Sequence, residues 1–119
     1  MKKVAIVSTG ITKFDKTEKS LDSLMLSSVK HLFVNAVNLE QKDVDVVLTS
    51  TNANKNYFAN IISELSGIKP KISHSVESLC NSGTNALISA YAYISSGLAG
   101  HAIRTLIILS SKSYYIQVN

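Results

Sequence analysis

Short apolar segments alternate with helix-like segments along this chain, and that alternation constrains the fold more than any other feature. The β-branched segments predict strands at Lys3–Gly10, Asp45–Ser50, Ile72–Glu77 and Thr105–Leu109, with Tyr114–Val118 as a candidate fifth. Apolar residues at three- and four-residue spacings predict helices near Leu21–Asn38, Tyr57–Ser66 and Cys80–Ser96. This order of strands and helices is typical of a mainly parallel sheet with helices on both faces.

The 119 residues therefore predict a single α/β domain spanning 1–119. We expect three layers, α/β/α, around a mainly parallel sheet of four to five strands. The third helix is apolar on nearly every side, so we expect it to be buried on most sides. Hydrophobic residues make up 45% of the chain and charged residues 17%. This composition indicates that another segment or molecule covers part of the domain surface.

The basic residues do not form a nucleic-acid-binding pattern, although the formal net charge is +4. Acidic residues interrupt the lysines near the start of the chain, which are Lys2, Lys3, Lys13, Lys16 and Lys19. Because no dense Lys/Arg block with interleaved aromatic residues occurs, we expect a solvated basic surface and no nucleic-acid partner. A loose attraction for a phosphorylated substrate remains open.

Targeting and membrane signals are not found in the sequence. The apolar run Val4–Val7 is too short for the core of a signal peptide. No apolar run reaches the roughly 18 residues that a membrane-spanning helix needs, so we expect no membrane association. A single cysteine forms no intrachain disulfide, and we therefore expect a reducing, cytoplasmic setting.

Cys80 is the candidate functional residue, because it lies where the third strand leads into the third helix. A thiol in the first turn of a helix lies near the positive end of the helix dipole, a setting that favours the reactive thiolate. The backbone N–H of Cys80 is a candidate donor for an oxyanion, and Gly83 permits another segment to approach closely. The alternative is inert packing, the commoner role of free cysteines.

The three histidines are weaker candidates for function. We expect His31 on the outer side of a helix, His74 in a strand and His101 in a loop. No two of them have metal-ligand spacing, and one cysteine with three scattered histidines is not a zinc signature. We therefore predict no metal site.

The segment around Cys80 resembles the thiolase family. The resemblance is carried by the block Cys80-Asn81-Ser82-Gly83 with its flanks, by the later run Ala90–Gly97, and by the opening Val4–Phe14. It runs from about residue 3 to residue 99, and it is closest to the acetyl-CoA acetyltransferase and sterol-carrier-type thiolases of archaea. It implies the N-terminal half of the thiolase α/β/α fold, with Cys80 as the nucleophile that takes an acyl group from a coenzyme A thioester.

The resemblance further implies that no metal or prosthetic group is bound, and that the protein is a homo-oligomer joined around Ser73–Ser78. The histidine that activates the nucleophile, the second cysteine and the asparagine-held oxyanion site of thiolases would all lie beyond this chain. We therefore expect a truncated domain without full activity alone. After Ala99 the thiolase pattern is lost, which motivates the hypothesis of a frameshift there; translating the downstream DNA in the other frames tests it.

Two other functional classes stay open at this point. One is a non-catalytic module that self-associates through apolar surface left bare by the missing part. The other is a subunit that a separately encoded chain completes with the histidine and the second cysteine.

Overall fold

The computed structural model describes residues 3–13, 18–50, 56–108 and 110–118. The strands are β1 (Val4–Ile11), β2 (Val46–Ser50), β3 (Ile72–Ser75), β4 (His101–Ile108) and β5 (Ser110–Val118). The α-helices are α1 (Leu21–Asn35), α2 (Phe58–Ser66) and α3 (Ser82–Ser95), and short 3₁₀ turns lie at Gln41–Asp43 and Leu79–Asn81. The alternation predicted from the sequence is therefore present.

The strands form one sheet in the order β1-β5-β4-β2-β3. β2 pairs in parallel with both β3 and β4, whereas β5 is antiparallel to both β4 and β1. Four of the five strands consequently run in the same direction, and β5 runs against them. The predicted mainly parallel sheet is confirmed, with the tail after Ala99 supplying β4 and β5.

Helices cover both faces of the sheet, which confirms the three-layer arrangement. On one face, Val47 of β2 packs with Leu32 of α1 and Ala59 of α2. On the other face, Val46 and Leu48 pack with residues of α3. These contacts follow from the period of two in a strand, because successive side chains of β2 point to opposite faces.

The first helix is tied to the first strand by polar contacts as well as by packing. Ser20 caps α1, since its hydroxyl accepts a hydrogen bond from the backbone N–H of Ser23 at 3.2 Å. The Ser8 hydroxyl donates to the backbone O of Leu32 at 2.9 Å, and the Asn35 amide donates to the backbone O of Thr9 at 3.0 Å. These contacts hold β1 against α1.

At the opposite end of the strands from Cys80, Asp45 joins three segments. Its backbone O accepts from the N–H groups of Lys71 and Ile72, at 2.8 and 3.1 Å. Its carboxylate accepts from the backbone N–H of Gly100 at 3.0 Å and pairs with the Lys71 ammonium at 3.0 Å. The starts of β2 and β3 and the segment entering β4 are therefore fixed together.

Several predicted boundaries are wrong by a few residues. The first helix ends at Asn35 and not at Asn38, which has a left-handed backbone with φ of 58°. The third strand ends at Ser75, and β4 begins at His101, so His101 lies in a strand and not in a loop. β4 and β5 are longer than predicted because each is stabilised by pairing over its length with the other.

The third helix is not buried on most sides, which corrects the sequence-based expectation. Its inner face is buried at Ala86, Ala90 and Ile94, whereas Ile88 and Tyr91 are exposed to 58% and 46%. Within the described part of the chain, this helix is covered only on the side that faces the sheet. The apolar sequence of α3 predicts burial, but no described element of the chain packs against its outer face.

Some sequence positions fall outside the described residues, including Lys2, Lys16 and Asn54. Within the described ranges, no helix combines the length and the apolar character needed to cross a bilayer.

A left-handed backbone occurs at three residues other than glycine among those described, which are Asn38, Tyr57 and Leu79. Asparagine adopts this conformation readily, but a branched aliphatic side chain does so at a cost. Leu79, with φ of 51° and a side chain exposed to 72%, opens the 3₁₀ turn that contains Cys80. This turn therefore holds local strain.

Replacing Gly10 should destabilise the protein, because a Cβ there would overlap the backbone O of Ser28 and the backbone N of Leu32 in α1. We expect Gly10→Ala to lower the free energy of unfolding by about 3 kcal/mol in urea titration. Gly100→Ala is the control, since its Cβ would meet only an Asp45 carboxylate oxygen at 3.5 Å. Equal losses for the two variants would contradict the close approach of β1 to α1.

Replacing Leu79 by asparagine should stabilise the protein, because asparagine tolerates the left-handed backbone. We expect Leu79→Asn to raise the free energy of unfolding by about 1 kcal/mol in urea titration. Leu98→Asn removes a similarly exposed leucine whose φ is not positive, and we expect it to change stability by less than about 0.5 kcal/mol. A destabilising Leu79→Asn would show that the leucine side chain has a role in packing.

Candidate functional site

The candidate site is the 3₁₀ turn Leu79–Asn81, which connects the end of β3 to α3. Cys80 lies in the middle of this turn and is exposed. The first α-helical residue is Ser82, so Cys80 precedes the α-helix by two residues and is not within its first turn as predicted. The sulfur is accordingly accessible at the edge of the sheet where the parallel strands end.

Hydrogen bonds from Ser82 close the turn that contains Cys80. The hydroxyl of Ser82 accepts from the backbone N–H of Ser78 at 2.7 Å and donates to the backbone O of Leu79 at 2.8 Å. The backbone N–H of Asn81 donates to the backbone O of Ser78 at 3.1 Å. The side chain of Ser82 is fully buried, so these bonds form beneath the turn and away from water.

Three further polar side chains support the same segment. The Asn85 amide donates to the Ser78 hydroxyl at 2.8 Å, and the Asn81 amide lies 3.4 Å from the Asn85 amide oxygen. The Glu77 carboxylate accepts from the backbone N–H of Leu79 at 3.0 Å. No hydrogen bond to the sulfur or to the backbone N–H of Cys80 is found among the described residues. That N–H is therefore available to a ligand.

The hydrogen bonds of His31 and His74 are made with residues other than Cys80. His31 is exposed on α1, as predicted, with its Nδ1 3.2 Å from both the backbone N and the backbone O of Ile11. His74 is in β3, as predicted, and its Nε2 lies 2.9 Å from the Tyr93 hydroxyl. In the described ranges, no group of three or more His, Cys, Asp or Glu side chains is placed to hold a metal ion.

Two cavities lie beside β3, and Cys80 lines neither of them. One has a volume of about 390 Å³ between the end of α2 and the segment leading into β3, and the other has about 220 Å³ at the start of α2. Both are lined by Asn60 and Ser73, and the buried hydroxyl of Ser73 has no hydrogen-bond partner within the described ranges. Because β3 is an edge strand, these cavities flank an open sheet edge.

Cys80 is predicted from the sequence as a site residue, whereas the roles of Ser82 and Leu79 in the turn are not. A serine two residues after a candidate nucleophile, at the start of a helix, is a recognisable turn-forming signal. The left-handed backbone of Leu79 has no such signal, because leucine is not a residue type that favours it.

The chain is similar to a curated protein, the acetyl-CoA acetyltransferase of Methanocaldococcus jannaschii. The chain is 34% identical to it over 104 residues, which cover 82% of this chain and 26% of the relative. No protein-family profile matches the sequence. The chain thus spans about a quarter of the length of the curated relative.

Solved structures share this fold over nearly the whole of the chain. The tetronic acid condensing enzyme AbyA1 superposes with a TM-score of 0.86 at 12% identity, covering 98% of this chain and 53% of that one. The 3-oxoacyl-[acyl-carrier-protein] synthase III of Aquifex aeolicus superposes with a TM-score of 0.84 at 13% identity, covering 98% and 54%. At these identities the likeness concerns the fold alone. Together with the curated relative, it confirms that the chain resembles the thiolase family over a part of the length of such proteins.

Proposed function

We propose that Cys80 accepts an acyl group from a coenzyme A thioester. The Cys80 thiolate attacks the thioester carbonyl carbon, a bond forms between that carbon and Sγ, and the bond from the carbon to the coenzyme A sulfur breaks. Coenzyme A leaves as a thiolate and takes a proton from water. The product is an S-acylated Cys80 and free coenzyme A.

The observation that carries this proposal is the position of Cys80. Its thiol is exposed in a turn immediately before the N-terminus of α3, and its backbone N–H has no partner among the described residues. A positive helix terminus and a free N–H favour the negative charge that develops on the carbonyl oxygen during attack. The similarity to an acetyl-CoA acetyltransferase supports the same substrate class.

We propose a partial reaction and not a full catalytic cycle. The resemblance implies that the activating histidine and the second cysteine of thiolases lie outside this chain, and His31 and His74 make their hydrogen bonds with Ile11, Ser75 and Tyr93 and not with Cys80. A nucleophile without its base gives little rate acceleration. We therefore expect slow, stoichiometric acylation.

Incubation with acetyl-CoA tests this proposal directly. We expect the intact mass of the wild-type protein to rise by one acetyl group, with release of one equivalent of coenzyme A and no turnover after that. Cys80→Ser is the matched control and should take up no acetyl group, because a hydroxyl is a far weaker nucleophile at neutral pH.

Urea-unfolded protein provides the second control, because its cysteine is an ordinary thiol. The proposal is wrong if the folded protein forms no adduct and if iodoacetamide alkylates its Cys80 no faster than that of the unfolded protein. Cys80 would then have only a structural role.

We also propose that a second copy of this chain pairs with the open edge of β3, around Ser73–Ser78. The N–H groups of Ile72 and Val76 donate to the backbone O atoms of Asp45, just before β2, and of Thr49 in β2, at 3.1 and 2.8 Å. The alternation of a strand therefore turns the N–H groups of Ser73 and Ser75 away from β2. Unpaired groups of this kind are a template for another strand. The buried, unpartnered Ser73 hydroxyl beside this edge supports an occupant with polar groups.

A subunit that a separately encoded chain completes is the alternative function, favoured by the exposed outer face of α3. Ile88 and Tyr91 on this face, and Leu98 after it, are exposed to between 46% and 66%. In this alternative, a separately encoded chain covers the face and supplies the histidine and the second cysteine. Restored thiolysis on mixing with such a chain would support it, and it would leave the acylation of Cys80 intact.

Proline at position 75 tests the pairing of β3 with a second copy. Ser75→Pro removes an outward N–H and adds a ring at the open edge, so we expect the dimer dissociation constant to rise roughly tenfold or more in sedimentation velocity. Ser75→Ala is the matched control, because both variants lose the 3.0 Å contact between the Ser75 and Thr49 hydroxyls. Equal association of the two variants, with circular dichroism showing both to be folded, would exclude this edge as the interface.

A further inference from the structure

We infer that Ser82 is a positioning residue for Cys80. This inference rests on the proposed acylation of Cys80 and names the residue that holds the sulfur and the neighbouring N–H in place. Ser82 touches neither an acyl group nor coenzyme A, and its role is exerted through the turn Leu79–Asn81.

The hydroxyl of Ser82 accepts one hydrogen bond and donates another. It accepts from the N–H of Ser78 at 2.7 Å and donates to the O of Leu79 at 2.8 Å, so a single buried atom bridges the two residues immediately before Cys80. The side chain has no exposed surface, and water cannot replace it. Removing the hydroxyl would leave both backbone groups without these partners.

The two hydrogen bonds of Ser82 hold the unfavourable backbone conformation of Leu79. With φ of 51°, Leu79 is in a left-handed conformation that a leucine adopts only where its surroundings enforce it. The two bonds of Ser82 lie on either side of Leu79, and Asn85 fixes Ser78 in turn by donating to its hydroxyl at 2.8 Å. We therefore expect the turn to relax when the Ser82 hydroxyl is lost.

Acylation and alkylation of Cys80 should respond differently to that relaxation. Alkylation by a small reagent needs only an accessible sulfur, which a relaxed turn retains. Attack on a thioester also needs an N–H placed where the oxyanion develops, and a displacement of about 1 Å in such a group costs up to roughly a hundredfold in rate.

The test measures both reactions in the full chain for Ser82→Ala, Ser82→Thr and Ser63→Ala. Ser63 is the matched control, since it is also a buried helix serine, and its hydroxyl donates to the backbone O of Ala59 at 2.7 Å far from Cys80 in the chain. We expect Ser82→Ala to lower the rate of acetyl uptake from acetyl-CoA by roughly tenfold to a hundredfold. Its rate of alkylation by iodoacetamide should stay within about twofold, Ser82→Thr should recover most of the acetyl uptake, and Ser63→Ala should retain it.

Acetyl uptake by Ser82→Ala at the wild-type rate would overturn the inference, as would an equal loss in Ser63→Ala. Absence of uptake by the wild-type protein would overturn the proposed function instead. In that event, amide hydrogen exchange at Leu79 and Asn81 decides the role of Ser82. Faster exchange in Ser82→Ala than in Ser63→Ala supports positioning of the turn, and unchanged exchange excludes it.

Discussion

The burial of β2 between two layers of helices determines most of this structure. All five residues of this strand are buried, and strands pair with it on both sides. Since its side chains alternate between the two faces, Val47 needs apolar partners on one face and Leu48 needs them on the other. The three helices supply those partners, and the parallel direction of the strands follows from the helices that connect them.

This arrangement brings the turn around Cys80 to one edge of the sheet. β3 runs beside β2 and ends at Ser75, and the chain then enters α3, which packs back against the same sheet. In open α/β sheets the carboxyl ends of the strands are where ligands usually bind. The exposed thiol of Cys80, its backbone N–H, for which the described residues offer no partner, and the buried hydroxyl of Ser82 all lie in this short connection.

The features that follow from local patterns could be predicted from the sequence. Periodicity predicts the strands and helices, and the block from Cys80 to Gly83 indicates the thiolase-like fold. Features that depend on distant partners could not be predicted in this way. The start of β4 at His101 follows from pairing with β2 and β5, and the exposure of Ile88 follows from the absence of a covering layer in the described fold. The left-handed Leu79 is enforced by neighbours and not by its own residue type.

The pairing of β1 with β5 has a consequence for how the protein folds. Val4 lies opposite Val118, so the first strand completes its hydrogen bonding only with residues at the far end of the chain. Closing so long a loop is slow compared with forming local contacts, because chain entropy is lost before the pairing stabilises it. During synthesis on the ribosome, β1 therefore lacks its partner strand until β5 has emerged.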